Sequence, residues 1–337
     1  MYEALKNHVE DSYRIGAISY ISEVLGGNLT NNFKIVSEEG VYFLKQHRPS
    51  VASRILYVEK GEIFLKDNGI PIVLPIQNKN GLLHTVFENN TYTLYPFVDG
   101  IEVERKNLKK SHIQNIATML GEIHMISREK NISWFIDNLP DSIRDINLKP
   151  KKIASIEKLI EHIEGIKNKD KIDIGILEEL EDKLNYVKSV KDYSSHFLPD
   201  DSLVHGDFHG KNVFFDENAN IIHVFDTEKI KAYSSVSDFV RTFIIVCFDH
   251  DYSEENYLRG EYFFEAYTKI VPLNKEQFLL GLREYQNRVY ISTWVEESYY
   301  FENNQKPLRF LEGYKKSKTY LLENMEKIVE RFSKYLS

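Results

Sequence analysis

The residues able to do chemistry lie close together between Leu203 and Asp226. His205, Gly206, Asp207 and Asn212 occupy a short polar stretch, and Asp226 follows about a dozen residues later. Between them, two apolar runs, Val213–Phe215 and Ile221–Phe225, flank the polar segment Asp216–Asn220. That pattern predicts a β-hairpin with a five-residue loop. Pairing the two runs brings the residues before the first strand and the residue after the second to one end. There Asp207 can accept a hydroxyl proton, while Asn212 and Asp226 offer hard oxygen ligands of the kind Mg²⁺ takes. A lone Asp or Asn usually just caps a turn; it is the full spacing that points to a site.

The order H-G-D-x-x-x-x-N, strand, turn, strand, Asp resembles the catalytic segment of the aminoglycoside phosphotransferase and choline kinase superfamily. The resemblance implies an α+β, bilobal protein-kinase-like fold, with a small antiparallel β-sheet N-lobe and a mainly helical C-lobe. It implies an ATP- and Mg²⁺-dependent kinase acting on a hydroxyl of a small molecule. Asp207 is then the catalytic base, and Asn212 and Asp226 are the metal ligands. His205 is expected to brace the loop rather than transfer a proton. Two departures point away from protein kinases: Thr227 and Glu228 follow Asp226 in place of Phe-Gly, and His209 stands where a phosphate-contacting lysine is usual.

The elements that must position these groups can be read in order. Residues 1–20 suggest an amphipathic helix. Two alternating apolar runs follow, around Gly26 and Gly27, a turn whose amides could approach phosphate. A strand over Val41–Leu44 ends at Lys45, which the resemblance makes the nucleotide-phosphate lysine. A helix over Ala52–Asn68, closed by Gly69 and Pro71, carries Glu59 and Glu62. The resemblance implies that one of them pairs with Lys45; spacing from the following turn favours Glu59, with Glu62 as the second choice. Strands over Leu82–Phe87 and Thr91–Phe97 complete a small sheet. The second runs into Tyr95-Pro96-Phe97, where the resemblance implies that backbone groups meet the adenine edge. The expected division is therefore an N-terminal nucleotide-binding lobe, 1–98, and a catalytic and acceptor-binding helical lobe, 99–337.

Beyond residue 100 the pattern turns helical. Ser111 is placed to cap a helix through Ile123, with His124 a core histidine. Residues 150–195 hold two charged amphipathic helices. Asp238 is expected to cap the next helix, and Asn274 with Gln277 forms a capping-box start to a long one whose stripe runs on through Thr293, Glu296 and Tyr300.

Composition bounds the rest. The chain has 337 residues, 42% apolar and 28% charged, with 21 tyrosines and 20 phenylalanines, as an ordinary globular protein with an aromatic-rich core does. Its formal charge of −8 argues against non-specific nucleic-acid binding, and no apolar run approaches membrane-spanning length. Cys247, the single cysteine, lies in an apolar run and reads as inert. A cytoplasmic protein with no nucleic-acid or membrane partner is expected. The acceptor stays open between a cationic class (aminoglycoside, amino sugar or choline-like) and a neutral or zwitterionic one of homoserine, sugar or methylthioribose type. Acidic residues interleaved with aromatics, Glu296, Glu297 and Glu302 among them, and the run Asp249, Asp251, Glu254 and Glu255, favour the cationic class. A catalytically silent binding or structural protein is the reading from another class, and the intact set of Lys45, Asp207, Asn212 and Asp226 speaks against it.

Overall fold

The structure is a computed structural model that describes residues 2–24, 31–143, 148–190 and 198–337. Internal contacts divide the chain into two compact units, Met1–Ser142 with Asp201–Ser235, and Ile143–Asp200 with Val236–Ser337.

In the first unit, helix α1 (Glu3–Ser12) precedes strands β1 (Ile18–Glu23), β2 (Asn32–Ser37) and β3 (Gly40–His47). A short helix α2 (Pro49–Ala52) and helix α3 (Ile55–Asp67) lead to β4 (His84–Phe87) and β5 (Asn90–Pro96). The five strands form one antiparallel sheet in the order β1-β2-β3-β5-β4. Side chains alternate across it. Phe33, Ile35, Leu44, Tyr92 and Leu94 face α1, where they pack with Leu5, Val9 and Tyr13. The intervening residues of the two central strands, Lys45 and His47 on β3 and Thr93 and Tyr95 on β5, share the opposite face. Lys45 lies directly across from Thr93.

Several boundaries differ from the sequence expectation. β1 takes Ile18–Tyr20, the end of the stretch expected to be helical, because its sequence, ISYISE, is rich in β-branched and aromatic residues and pairs with β2. Lys45 sits inside β3 rather than at its end. The helix expected over Ala52–Asn68 is broken near Ser53 and Arg54 into α2 and α3.

Helix α4 (Lys110–Glu129) begins one residue before Ser111, with Lys109 as its cap, so Ser111 lies within the first turn. It is followed by α5 (Ser133–Asp137). His124 is fully buried on α4. The unit closes with four short strands: β6 (Ser202–Val204), β7 (Val213–Phe215), β8 (Ile221–Val224) and β9 (Lys231–Tyr233). β7 and β8 form the expected hairpin, and β6 pairs with β9. The hairpin turn is organised by Asp216, whose carboxylate accepts the backbone N–H groups of Asn218 and Asn220 at 2.9 and 2.8 Å.

The second unit is helical. α6 (Leu148–Glu164) and α7 (Lys171–Ser189) bury Ile156, Leu159, Ile163, Ile176, Leu180 and Val187 in one cluster with Tyr290 and Ile291. Then come α8 (Ser235–Phe243), a π-helical turn over Ile244–Phe248 that buries Cys247, α9 (Glu254–Thr268), α10 (Lys275–Ile291), α11 (Trp294–Phe301) and α12 (Leu311–Phe332). Asp238 falls in the first turn of α8. Phe239, Phe243, Phe264, Phe278 and Phe332 form an aromatic core, all fully buried. The capping box of Asn274 and Gln277 is present on α10. Its stripe does not run on unbroken: the chain leaves helical geometry at Ser292 and restarts as α11. Among the described residues, no helix is long and apolar enough to cross a membrane.

Candidate functional site

Two strand pairs hold two loops against each other. The pairing of β6 with β9 brings the start of loop 205–212 beside the end of segment 225–230. At the other end, β7 and β8 bring Asn212 beside Phe225, whose N–H donates to the Asn212 carbonyl at 3.0 Å. Gly206 marks how tight the approach is. Its φ is +78°, and a Cβ there would lie 2.6 Å from the Lys229 carbonyl oxygen, so only glycine fits.

His205 is fully buried and spans the two loops. Its Nδ1 accepts the Asp207 N–H at 3.3 Å, which leaves Nε2 to donate to the Phe225 carbonyl at 3.1 Å. Asn212 is fixed in the same way: its Nδ2 donates to the Asp207 carbonyl at 2.8 Å, so the amide oxygen is the group left for a cation. Asp207 receives Lys229 Nζ on Oδ2 at 2.6 Å, and His209 Nε2 lies 3.7 Å from Oδ1. Asp226 has left-handed backbone geometry, φ +57°, a conformation a non-glycine residue adopts at a cost and often at a site.

Lys45 reaches this segment from β3. Its Nζ lies 2.5 Å from Asp226 Oδ1 and 3.3 Å from Glu228 Oε1. Burial alone would push the Lys45 ammonium down, but the two carboxylates outweigh it and hold the group above its ordinary range. Glu228 also accepts His47 Nδ1 at 2.9 Å, and His47 Nε2 meets Thr93 Oγ1 at 2.7 Å. Burial would raise the Glu228 carboxyl; the His47 hydrogen bond and the Lys45 charge bring it down to about 2.

A sequence model of the phosphotransferase enzyme family (APH) matches residues 21–269. The chain belongs to this family. As a family phosphotransferase it shares its fold with solved relatives of low sequence identity. A spectinomycin phosphotransferase bound to ADP and spectinomycin is 19% identical over 98% of each chain, with a TM-score of 0.66. An amicoumacin kinase bound to AMP-PNP and Ca²⁺ is 12% identical over 98% of this chain and 93% of that one, TM-score 0.62. An ethanolamine kinase from Plasmodium vivax is 16% identical over 96% and 85%, TM-score 0.60. These likenesses show the α+β protein-kinase-like fold. No curated protein matches the sequence at a significant level.

In this phosphotransferase the residues singled out from sequence fall into distinct groups. Lys45, Asp207, Asn212 and Asp226 lie in one unit, on β3 and the two loops just described. Gly26 and Gly27 lie outside the described residues. The pairing expected between Lys45 and Glu59 is not what the structure holds. Glu59 accepts Nδ1 of His84, on β4, at 2.7 Å. Glu62 instead accepts the Thr227 hydroxyl, and the Tyr95 hydroxyl at 3.3 Å. Burial pushes the Glu62 carboxyl up to about 7; the two hydrogen bonds and the Lys45 charge offset only part of that. Burial first, and then the Glu62 and Glu228 charges, raise the Tyr95 phenol well above its usual range. The Phe97 N–H donates to the Val41 carbonyl at 3.0 Å and so is already used within the sheet. The Phe97 ring is half exposed, with Lys34 Nζ 4.6 Å from its centroid.

Five of the acids expected to receive a cationic acceptor are also engaged. Glu296 is buried against Lys183 Nζ at 2.5 Å, and Glu297 accepts the hydroxyls of Ser155 and Thr293. Glu302 accepts the Ser298 hydroxyl at 2.9 Å. Asp251 accepts Asn256 Nδ2 at 2.8 Å, and Glu254 pairs with Arg331 at 3.3 Å. An acid on an apolar stripe announced a buried partner rather than a ligand.

Sequence reasoning missed His47, Glu228 and Lys229. Each carries a signal in the sequence. Glu228 stands where protein kinases have Phe-Gly after the aspartate, and Lys229 stands next to it. His47 follows Lys45 by two residues and therefore shares its sheet face.

Proposed function

We propose that the chain transfers the γ-phosphoryl group of ATP to a hydroxyl of a small molecule, with Mg²⁺ as its metal. The observation that carries this reading is that Lys45 on β3 reaches two loops, clamped by paired strands, that carry Asp207, Asn212 and Asp226. Membership of a phosphotransferase family supports it. The donor chemistry of the metal site fits. The Asn212 amide oxygen and the Asp226 carboxylate, whose side chain is 41% exposed, are hard ligands that leave the remaining positions to phosphate and water, as Mg²⁺ prefers. When bound, the ion supplies neutralisation of charge on the phosphate oxygens.

The protein's own groups would do the rest. Lys45 holds the nucleotide phosphates. Asp207 accepts the proton of the acceptor hydroxyl as the new O–P bond forms and the bond from phosphorus to ADP breaks. Lys229, 2.6 Å from Asp207 Oδ2, fixes that carboxylate in direction. Gly26 and Gly27 would cover the phosphates, and backbone at Tyr95 and Phe97 would meet adenine. The Phe97 carbonyl is the better candidate, since its N–H is taken. Residues 1–98 would then be the nucleotide-binding lobe and residues 99–337 the catalytic and acceptor-binding lobe, acting in the cytoplasm.

For the acceptor we infer an amine-bearing alcohol. The charge of −8 favours a cation, and the fold relatives include an ethanolamine kinase and a spectinomycin phosphotransferase. Glu296 and Glu297 are not part of that recognition, because their carboxylates are already satisfied. ADP release, measured over aminoglycosides, amino sugars, choline, ethanolamine, homoserine and simple sugars, tests the proposal. Turnover of a neutral acceptor far above every amine would transfer the assignment to the homoserine or sugar class. No ADP release beyond that of an Asp207→Asn control would remove the kinase reading.

A further inference from the structure

Lys45 carries two carboxylates, and neither comes from helix α3. We infer that Glu228, from the segment after Asp226, is the residue that positions Lys45 for the nucleotide phosphates. The inference rests on the phosphotransferase reading above and names a residue for that same site.

Glu228 is held from several sides. Its Oε1 is shared by Lys45 Nζ at 3.3 Å and His47 Nδ1 at 2.9 Å, and Thr93 fixes the far nitrogen of His47 at 2.7 Å. Lys45, His47 and Thr93 share one face of the β3–β5 ladder, so the carboxylate is docked on the sheet itself. Its backbone carbonyl accepts Arg54 Nη2 at 2.5 Å, which ties the segment to the start of α3. The imidazole of His47 is almost completely buried and Glu228 nearly so, at 1% and 14% side-chain exposure. A carboxylate anchored this way can hold an ammonium in one place without moving itself. Asp226 cannot serve as the lasting partner, because it is also the proposed metal ligand and is the more exposed of the two at 41%. The helix glutamates are committed elsewhere, Glu59 to His84 and Glu62 to Thr227 and Tyr95.

The test is calorimetric titration of the full chain with ADP and Mg²⁺, alongside the KM for ATP. Glu228→Gln keeps the size and removes the charge. It should weaken ADP binding about tenfold, the order expected for one charge-assisted hydrogen bond, and raise KM for ATP in parallel. Glu228→Asp, which retains the charge, should recover part of that loss. In a Lys45→Met background Glu228→Gln should add nothing, because the residue acts through the lysine. Glu59→Gln should leave ADP affinity within about twofold, since its partner is His84. Should Glu228→Gln fail to fold, Thr93→Val, which releases only the far side of His47, carries the same test with a loss of about twofold to threefold. Wild-type affinity in both Glu228→Gln and Thr93→Val, or a Glu228→Gln penalty undiminished without Lys45, overturns the inference. So does a larger loss in Glu59→Gln than in Glu228→Gln. A wild-type protein that binds no ADP at all is a separate result, because it removes the phosphotransferase reading first.

Discussion

A cluster of lysines and carboxylates in the helical unit and another in the unit containing the sheet are built differently. In the helical unit, Lys183 of α7 meets Glu296 of α11 at 2.5 Å, with side chains 7% and 1% exposed. The same ammonium donates to the Ser292 carbonyl at 2.6 Å. Nearby, Lys318 is shared by Glu179 and Asp182 at 2.5 and 2.8 Å and lies over the Tyr290 ring. In the unit containing the sheet, Lys45 and Lys229 meet Asp226, Glu228 and Asp207, but Asp226 is 41% and Lys229 45% exposed. In the first arrangement the Lys183–Glu296 pair is enclosed, its ammonium matched by the α11 carboxylate and by the Ser292 carbonyl between α10 and α11, while Asp182 beside Lys318 is 50% exposed. The second has carboxylates on loops, strained at Asp226, and open to solvent on one side. Enclosure with full matching marks a brace; partial cover marks a place where a ligand can enter and exchange partners.

The largest expected effect lies in the open cluster. Asp207→Asn should lower kcat at least about a hundredfold while ADP affinity changes little, as removal of a positioned base does. Steady-state kinetics on the best acceptor, with calorimetry for ADP, would check both halves. Near-normal turnover would reduce the open cluster to another brace.

Next comes the enclosed pair. Lys183→Met leaves the Glu296 charge buried and unmatched, and should cost about 3–5 kcal/mol in urea unfolding. The KM values for ATP and acceptor should stay unchanged. Pairing it with Glu296→Leu should restore much of the stability, because two apolar side chains can replace a buried ion pair. A variant that kept its stability but lost affinity for an amine would break the contrast and return Glu296 to acceptor binding.

Glu62 sharpens the comparison through pH. Its carboxyl is raised by burial to about 7 in the folded chain, against 4.5 ordinarily. A raised carboxyl gives its full stabilisation below the unfolded value and loses it as pH climbs through the folded one. Stability should therefore fall by roughly 3 kcal/mol between about pH 4.5 and pH 7.5 on account of this group. Glu62→Gln should flatten that slope. Glu228, depressed to about 2, works with the opposite sign: its contribution is present above the ordinary carboxyl value and is lost as pH falls toward 2. Urea midpoints of the wild type and Glu62→Gln across pH 4–8 separate the two, and parallel curves would show that burial does not raise the Glu62 carboxyl.

What could be read from sequence follows from distance along the chain. The hairpin, its turn at Asp216 and the bracing of the loop by His205 all depend on residues within about twenty positions of each other, and each was legible. The sheet was legible except for β1, whose pairing with β2 overrides the helical pattern at the N-terminus. Partners brought together by folding were not. Nothing local to Glu59 announces His84, and nothing local to Glu296 announces Lys183. The resemblance that located Lys45 also suggested a helical partner for it, whereas the carboxylates it meets stand 181 and 183 residues further on.

The smallest expected effect tests the part of the helical unit that local sequence did determine. Asn274 caps α10: its side chain accepts the Gln277 N–H at 2.9 Å, and Oε1 of the Gln277 side chain accepts the Asn274 N–H at 3.1 Å. Asn274→Ala removes one acceptor from a helix start whose N–H groups have no intrahelical partner, and should cost about 1 kcal/mol. Asn274→Gly should cost only a few tenths, because water reaches the freed N–H and glycine accepts the extended backbone of a cap. Both variants should retain wild-type KM values, since the cap touches neither charge cluster. Amide hydrogen exchange at Gln277 reads the loss directly, and urea unfolding gives its size. No loss of stability in either variant would mean that the side-chain hydrogen bond contributes nothing. A cost several times larger in either variant would mean that α10 is anchored through Asn274 by more than its own first turn.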